Sequence, residues 1–231
     1  MNNLRHKIFI SRDFSASSHF VQSLQNYDCE VTAVSLLTFK SVTFFDIPYC
    51  KWIFFYSQNG VQFFFEQINN IDKKEGLKKI KWAAIGEATA AAIAANGQAV
   101  DFVGNGNLAN IATDFLAVCA SEIVLFVQAK NSRESIAQLL DNQIISKKLI
   151  VYDNQIKNDF WLPKCDFLVF TSPLNVVAYC QKFKIETAQK VFAIGATTAL
   201  ELKKQGVSDV QIAEKSDEKS LLDLLFQHLG K

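Results

Sequence analysis

Proline is scarce in this 231-residue chain, with three residues, and glycine numbers nine. Disorder and low-complexity sequence are rich in such residues, so both are excluded. No CxxC occurs, and the five cysteines (Cys29, Cys50, Cys119, Cys165, Cys180) are scattered and odd in number. No Cys/His pair has metal-ligand spacing, so reduced, buried thiols and no metal are expected. Charge of one sign is missing too. The net charge is +1, and arginine occurs only at Arg5, Arg12 and Arg133. That leaves no electrostatic footprint for nucleic acid or an anionic membrane. Lysine pairs such as Lys73-Lys74 and Lys78-Lys79 read as solvated helix or loop positions. No apolar run reaches the eighteen or so residues a membrane helix needs. The opening MNNLRHKIFISRDF lacks the apolar core of a signal peptide, so a cytoplasmic, soluble protein is expected.

What is present is an internal repeat. Phe167–Gly206 reads FLVFTSPLNVVAYCQKFKIETAQKVFAIGATTALELKKQG. Twice in it an apolar run meets small hydroxyl residues that open a helical pattern. Trp52–Gly97 reads WIFFYSQNGVQFFFEQINNIDKKEGLKKIKWAAIGEATAAAIAANG and keeps the same order, with Ser57 and then Ala88-Thr89-Ala90 at the turns. A repeat of this size implies two similar α/β units, and the length allows two domains of roughly a hundred residues.

Before the first copy, Lys7–Ile10 reads as a strand, Phe14–Asn26 as a helix with Asp13 as its N-cap, and Glu30–Leu37 as a second strand. After the first copy come a strand at Ala99–Val103, a GNGN loop (Gly104–Asn107), a helix at Leu108–Cys119 and a strand at Glu122–Val127. A polar loop follows that holds Lys130 and Arg133, then a helix through Leu140 and the strand Lys148–Tyr152, with Asp153–Lys164 as connector. A last helix, Leu221–Leu229, is capped by Ser216. Roughly ten strands alternating with helices give an α/β fold with parallel sheets. Each copy starts partway through a unit, so residues 99–150 complete the first sheet and the opening βαβ completes the second. One domain, 40–151, is then inserted into a discontinuous one, 1–36 with 158–231. Connectors lie near 37–40 and 152–158, and a cleft lies between the domains.

The chemistry available is sparse. No Ser-His-Asp order, isolated carboxylate pair or HExxH occurs, and His6, His19 and His228 read as surface residues. Hydroxyls at helix starts recur instead: Ser57, Thr89, Ser172, Thr197 and Thr198. Each can be an N-cap, or can join unpaired N–H groups and the helix dipole in holding an anion. Together they suit a ligand with many carboxylates or phosphates. The GNGN loop is either a tight turn or an anion cradle. Arg12 is either a solvated loop end or a ligand contact at the carboxyl edge of the sheet.

FLVFTSPLNVVAY, VFAIGATTALELKKQG, WIFFYSQNGVQFF and AAIGEATAAAIAANG, with KLIVY between the pairs, together resemble the uroporphyrinogen-III synthase family. The resemblance covers about residues 7–229. It implies two flavodoxin-like α/β domains, parallel sheets flanked by helices, joined by a two-stranded connector around a cleft. It implies cyclisation of hydroxymethylbilane, a linear tetrapyrrole, to uroporphyrinogen III with inversion of the last ring through a spiro intermediate. No cofactor, no nucleic-acid or membrane partner and a monomer are expected. The family's functional tyrosine falls on Tyr152, its turn threonines on Thr89 and Thr198 (beside Thr197), and its TSP serine on Ser172. Ser57 holds the equivalent turn in the other domain, and Arg12 matches an arginine after the first strand. YSQNG departs from the usual Pro-containing turn. QAKNSR stands where many members carry Pro-Arg-Gly, so Lys130 or Arg133 is left to supply that charge. A two-domain small-molecule binding protein without catalysis is the alternative. A receiver or flavodoxin-type regulator is disfavoured, because the strand ends carry Ser, Thr and Tyr rather than clustered acids.

Overall fold

A computed structural model describes residues 6–14, 18–68, 77, 79–132 and 134–229. Lys73, Lys74, Lys78 and Arg133, named above, lie outside them. In chain order the described elements are β1 (His6–Ile10), α1 (His19–Gln25), β2 (Cys29–Ala33), β3 (Leu37–Ser41), β4 (Trp52–Phe55), α2 (Gln58–Ile68), β5 (Lys81–Ala84), α3 (Glu87–Ala95), β6 (Phe102–Val103), α4 (Leu108–Cys119), β7 (Ile123–Ala129), α5 (Ser135–Leu139), β8 (Ile145–Ile156), β9 (Phe167–Phe170), α6 (Pro173–Lys182), β10 (Lys190–Ala193), α7 (Ala196–Lys204), β11 (Gln211–Ile212) and α8 (Glu218–His228). The chain divides into two compact units, Met1–Thr38 with Gln155–Lys231, and Phe39–Asn154.

In the first unit the strands run in the order β11-β10-β9-β1-β2, all neighbours parallel. Read from β2, this is the flavodoxin-like order 2-1-3-4-5. The other sheet runs β3-β8-β7-β4-β5-β6. From β8 to β6 it repeats the same layout with the chain entering at a different point: β7 and β8 take the places of β1 and β2, and β4, β5 and β6 those of β9, β10 and β11. β3 is added at the edge beside β8. Val42 N donates to Val151 O and Lys157 N to Leu36 O, so these two strands run in opposite directions.

The apolar runs form strands without solvent contact because helices cover both faces of a parallel sheet. β4 and β9 are buried at every position. In the second unit Ile53 and Phe55 pack with Phe64 and Trp82 on one face, while Trp52 and Phe54 pack with Phe115 and Phe126 on the other. In the first unit Phe9 faces Phe170 and Tyr179, while Ile8 and Ile10 face Phe20 and Leu225.

Several local expectations change. Asp13 does not cap the first helix. That helix starts at His19 behind Ser18, and the Asp13 carboxylate instead accepts from Ser35 N at 3.0 Å. Asp217, not Ser216, caps α8, accepting from Ser220 N at 2.7 Å. Ser216 instead packs against Gly195, its hydroxyl lying where a side chain there would project. His228 is half-buried, with its ring edge-on to Phe192 and Nδ1 beside Leu224 O at 3.1 Å. β8 does not end at Tyr152, since backbone pairing with β3 carries its polar end on to Ile156.

Candidate active site

Tyr152 owes its position to an irregularity in β8. Gln128 pairs with Ile150 but Ala129 pairs with Tyr152, so β8 carries one extra residue there. Strict alternation would place Val151 and Tyr152 on opposite faces. The bulge instead buries both among the residues around α2. Tyr152 is 6% exposed, stacks on Phe63 (centroids 5.4 Å apart, planes 17° apart) and meets Phe39 at 6.1 Å.

Its hydroxyl lies 3.1 Å from Ser57 Oγ. Ser57 follows β4 and acts as the N-cap of α2, its oxygen accepting from Gly60 N at 3.0 Å. Lys130, just after β7, donates its backbone N–H to Tyr152 O, and its side chain is exposed. Burial raises the Tyr152 phenol above its ordinary pKa, and the hydrogen bond between it and Ser57 works against that rise. Ser57, Tyr152 and the backbone of Lys130 therefore meet at the carboxyl ends of β4 and β7, where β8 runs on past them. The point between β4 and β7, where the strand order reverses, is where open α/β sheets bind ligands.

Thr89 belongs to the same unit but caps nothing. Gly86 is the N-cap of α3, and Thr89 is buried in the first turn. The GNGN loop is closely packed at both ends. A side chain on Gly104 would lie 2.6 Å from Ile85 O, and the Asn107 side chain occupies the start of α4 by accepting from Asn110 N. The start of α5 is also filled from within. Tyr56 Oη accepts from Ala137 N at 3.0 Å, and its phenol is pushed up to about 12 by burial. Beside it Glu134 pairs with Lys148 and accepts from Gln128.

The first unit has a matching polar edge. Ser172 caps α6, accepting from Asn175 N at 3.3 Å and from Asn175 Nδ2 at 2.9 Å. Asn175 Oδ1 in turn accepts from Leu36 N at 2.8 Å. Ser11 Oγ accepts from Thr171 N at 2.9 Å, and Thr171 Oγ1 donates to Ser11 O. The sequence reading missed Asn175, Ser11 and Thr171. Asn175 stood three residues after the cap, at the capping-box position, which could have flagged it. Thr198 is buried at 2% and Thr197 is exposed, both in the first turn of α7 behind Gly195. Gly195 (φ −174°, ψ 174°) and Gly86 (φ −178°, ψ 174°) share one backbone shape, so the repeat extends to the torsion angles. Arg12 contacts Glu218 Oε1 at 3.0 Å and lies over the Phe14 ring.

Among the described residues no group of three or more His, Cys, Asp or Glu could hold a metal, and no helix is long and apolar enough to cross a membrane. The family model HEM4, described as uroporphyrinogen-III synthase HemD, matches residues 18–223. A curated relative, uroporphyrinogen-III synthase of Chlorobaculum parvum, is 24% identical over 91% of this chain and 94% of its own. Among solved structures, uroporphyrinogen-III synthetase from Helicobacter pylori superposes with a TM-score of 0.75 at 23% identity, covering 97% of this chain and all of that one. A mutant uroporphyrinogen III synthase from Thermus thermophilus gives 0.59 at 15% identity, over 97% and 98% of the two chains.

Proposed function

The chain belongs to the uroporphyrinogen-III synthase family, and from that premise we propose how its own residues carry the reaction. It is a cyclising lyase that closes hydroxymethylbilane in tetrapyrrole biosynthesis. In our reading Tyr152 is the acid. Its O–H donates to the departing hydroxyl oxygen, the C–O bond breaks with its electron pair on oxygen, and water leaves. The carbon is left as a cation spread over an electron-rich pyrrole. The substituted carbon of the terminal ring attacks it to give the spiro intermediate. Rearrangement closes the macrocycle with that ring inverted, and the proton released on closure returns to the Tyr152 oxygen.

The observation that carries this reading is the bulge, which turns a buried tyrosine toward the end of β4 rather than away from it. A phenol with a raised pKa stays protonated at neutral pH, as a donor must. The rest of the work is positioning, in which well-oriented intramolecular reactions gain up to about 7–11 kcal/mol. Ser172 and the exposed Thr197 supply hydroxyls at helix starts for substrate carboxylates, the buried Thr89 and Thr198 support the first turns of α3 and α7 whose N–H ends face the ligand, and Arg12 and Lys130 act as cations. Ser172 suits this because its oxygen accepts from Asn175 while its proton stays available. The enzyme acts without a cofactor, as a cytoplasmic monomer whose five cysteines stay reduced. Tyr152→Phe tests the assignment. Turnover falls at least tenfold while the melting temperature stays within a few degrees, roughly what one lost hydrogen bond costs. Turnover within twofold of the parent removes Tyr152 from the chemistry.

A further inference from the structure

We propose that Ser57 is a positioning residue for Tyr152 rather than a ligand of the substrate: it donates its proton to the Tyr152 oxygen and so directs the tyrosine's own O–H outward. The inference rests on Tyr152 being the acid. A serine hydroxyl has one proton and two acceptor positions. At Ser57 one acceptor position is taken by Gly60 N at 3.0 Å, and the neighbour facing the rest is the Tyr152 hydroxyl at 3.1 Å. If Tyr152 donated to Ser57, its proton would be spent inside the protein. If Ser57 donates to Tyr152, the phenolic proton is free for the departing hydroxyl.

The backbone favours the second arrangement. Ser57 caps α2, an eleven-residue helix whose N-terminal N–H groups carry partial positive charge. A hydroxyl that accepts from such a group is a stronger donor in turn, because hydrogen bonds in a chain polarise one another. The order Gly60 N–H to Ser57 O–H to Tyr152 O–H therefore runs one way. When Tyr152 gives up its proton, the charge left on its oxygen is held by a donor already in place. Phe63 stacked on the ring and the bulge at Val151 leave the phenol little freedom to turn from Ser57. At the equivalent turn of the other unit the Ser172 hydroxyl meets the Asn175 amide instead.

The test is a kinetic cycle with a spectroscopic arm. Turnover and KM for hydroxymethylbilane are measured for the parent, Ser57→Ala, Ser57→Thr, Tyr152→Phe and the Ser57→Ala/Tyr152→Phe double variant. Circular dichroism and melting curves establish that each is folded. The proposal expects Ser57→Ala to lose at least fivefold in kcat with KM within twofold. Ser57→Thr, which keeps the hydroxyl, recovers most of that loss. Ser57→Ala costs nothing further once Tyr152→Phe is present, because there is no phenol left to direct. In a tyrosine absorbance titration without substrate, Ser57→Ala moves one tyrosine to higher pH, and Tyr152→Phe removes that one. A rise in KM with kcat unchanged makes Ser57 a substrate ligand and overturns the proposal, as do losses that add in the double variant. If Tyr152→Phe alone leaves turnover intact, the acid assignment itself fails and takes the relay with it. If Tyr152→Phe is slow but Ser57→Ala is not, the relay alone fails.

Discussion

Replacing Tyr56 with phenylalanine removes one hydroxyl whose task lies in the fold and not in the chemistry. Its oxygen accepts from Ala137 N at 3.0 Å, whereas the residue before α5, Glu134, makes no side-chain cap. Without the hydroxyl that N–H is left without an acceptor, at a cost of about 1–3 kcal/mol. For a chain of this length each kcal/mol moves the melting temperature by roughly 2–4 °C, so a drop of about 2–12 °C follows at neutral pH. Alkaline pH gives a second signature. Burial first, and then the charge of Glu134, push the Tyr56 phenol from 10.0 up to about 12, against the pull of the backbone N–H groups. A folded pKa above the unfolded one favours the neutral form in the fold. The stabilisation is complete below about pH 10 and is lost as pH rises toward 12, about 2–3 kcal/mol in all at 1.36 kcal/mol per unit. Tyr56→Phe has no such group, so its stability falls less steeply across that window. Urea unfolding at neutral pH and near pH 11 would read both effects. Equal stability at neutral pH together with parallel alkaline slopes would refute the reasoning. Turnover at neutral pH stays at the parent level. A clear loss in a folded variant would mean that this hydroxyl meets the substrate after all.

Two further predictions come from the turns. Gly104→Ala places a methyl 2.6 Å from Ile85 O and 2.9 Å from Ile111 Cγ2. The backbone there is fixed by Gly104 N donating to Ala84 O, so the variant loses about 1–3 kcal/mol in denaturant unfolding, and a neutral result would mean that the turn can shift. Arg12→Ala removes an exposed pair with Glu218, worth about 0–1 kcal/mol, so melting barely changes. Its KM for the carboxylate-bearing substrate rises severalfold with kcat unchanged, and an unaltered KM excludes the guanidinium from binding.

Much of the fold was legible because it rests on short-range signals. WIFF, FLVF and VFAI stand out as continuous apolar runs, since a strand covered on both faces has no polar side to show. The repeat fixed which segments correspond, and the sheet order 8-7-4-5-6 beside 2-1-9-10-11 gives that correspondence its physical form. What escaped depends on contacts between distant segments. The bulge at Val151–Tyr152 arises from pairing with β7, and alternation within KLIVY cannot reveal it. Asp13 has the chemistry of a cap but is drawn to Ser35 N, twenty-two residues away. Thr89 and Thr198 do stand in the first turns of α3 and α7, but that the caps are the glycines before them and that both side chains are buried depends on packing the local sequence does not show. Asn175 carried one local signal, its place three residues after the Ser172 cap, but its hold on Leu36 N is a contact between distant segments that no local pattern records.

The most direct test of the account is the isomer made from hydroxymethylbilane. The purified protein is added to freshly generated substrate, the products are oxidised, and the uroporphyrin isomers are resolved. Spontaneous closure gives the type I isomer. The account predicts type III in proportion to added protein, with the yield collapsing in Tyr152→Phe. Type I alone from a correctly folded protein would contradict it, and would leave a two-domain binder of polyanionic ligands as the better description.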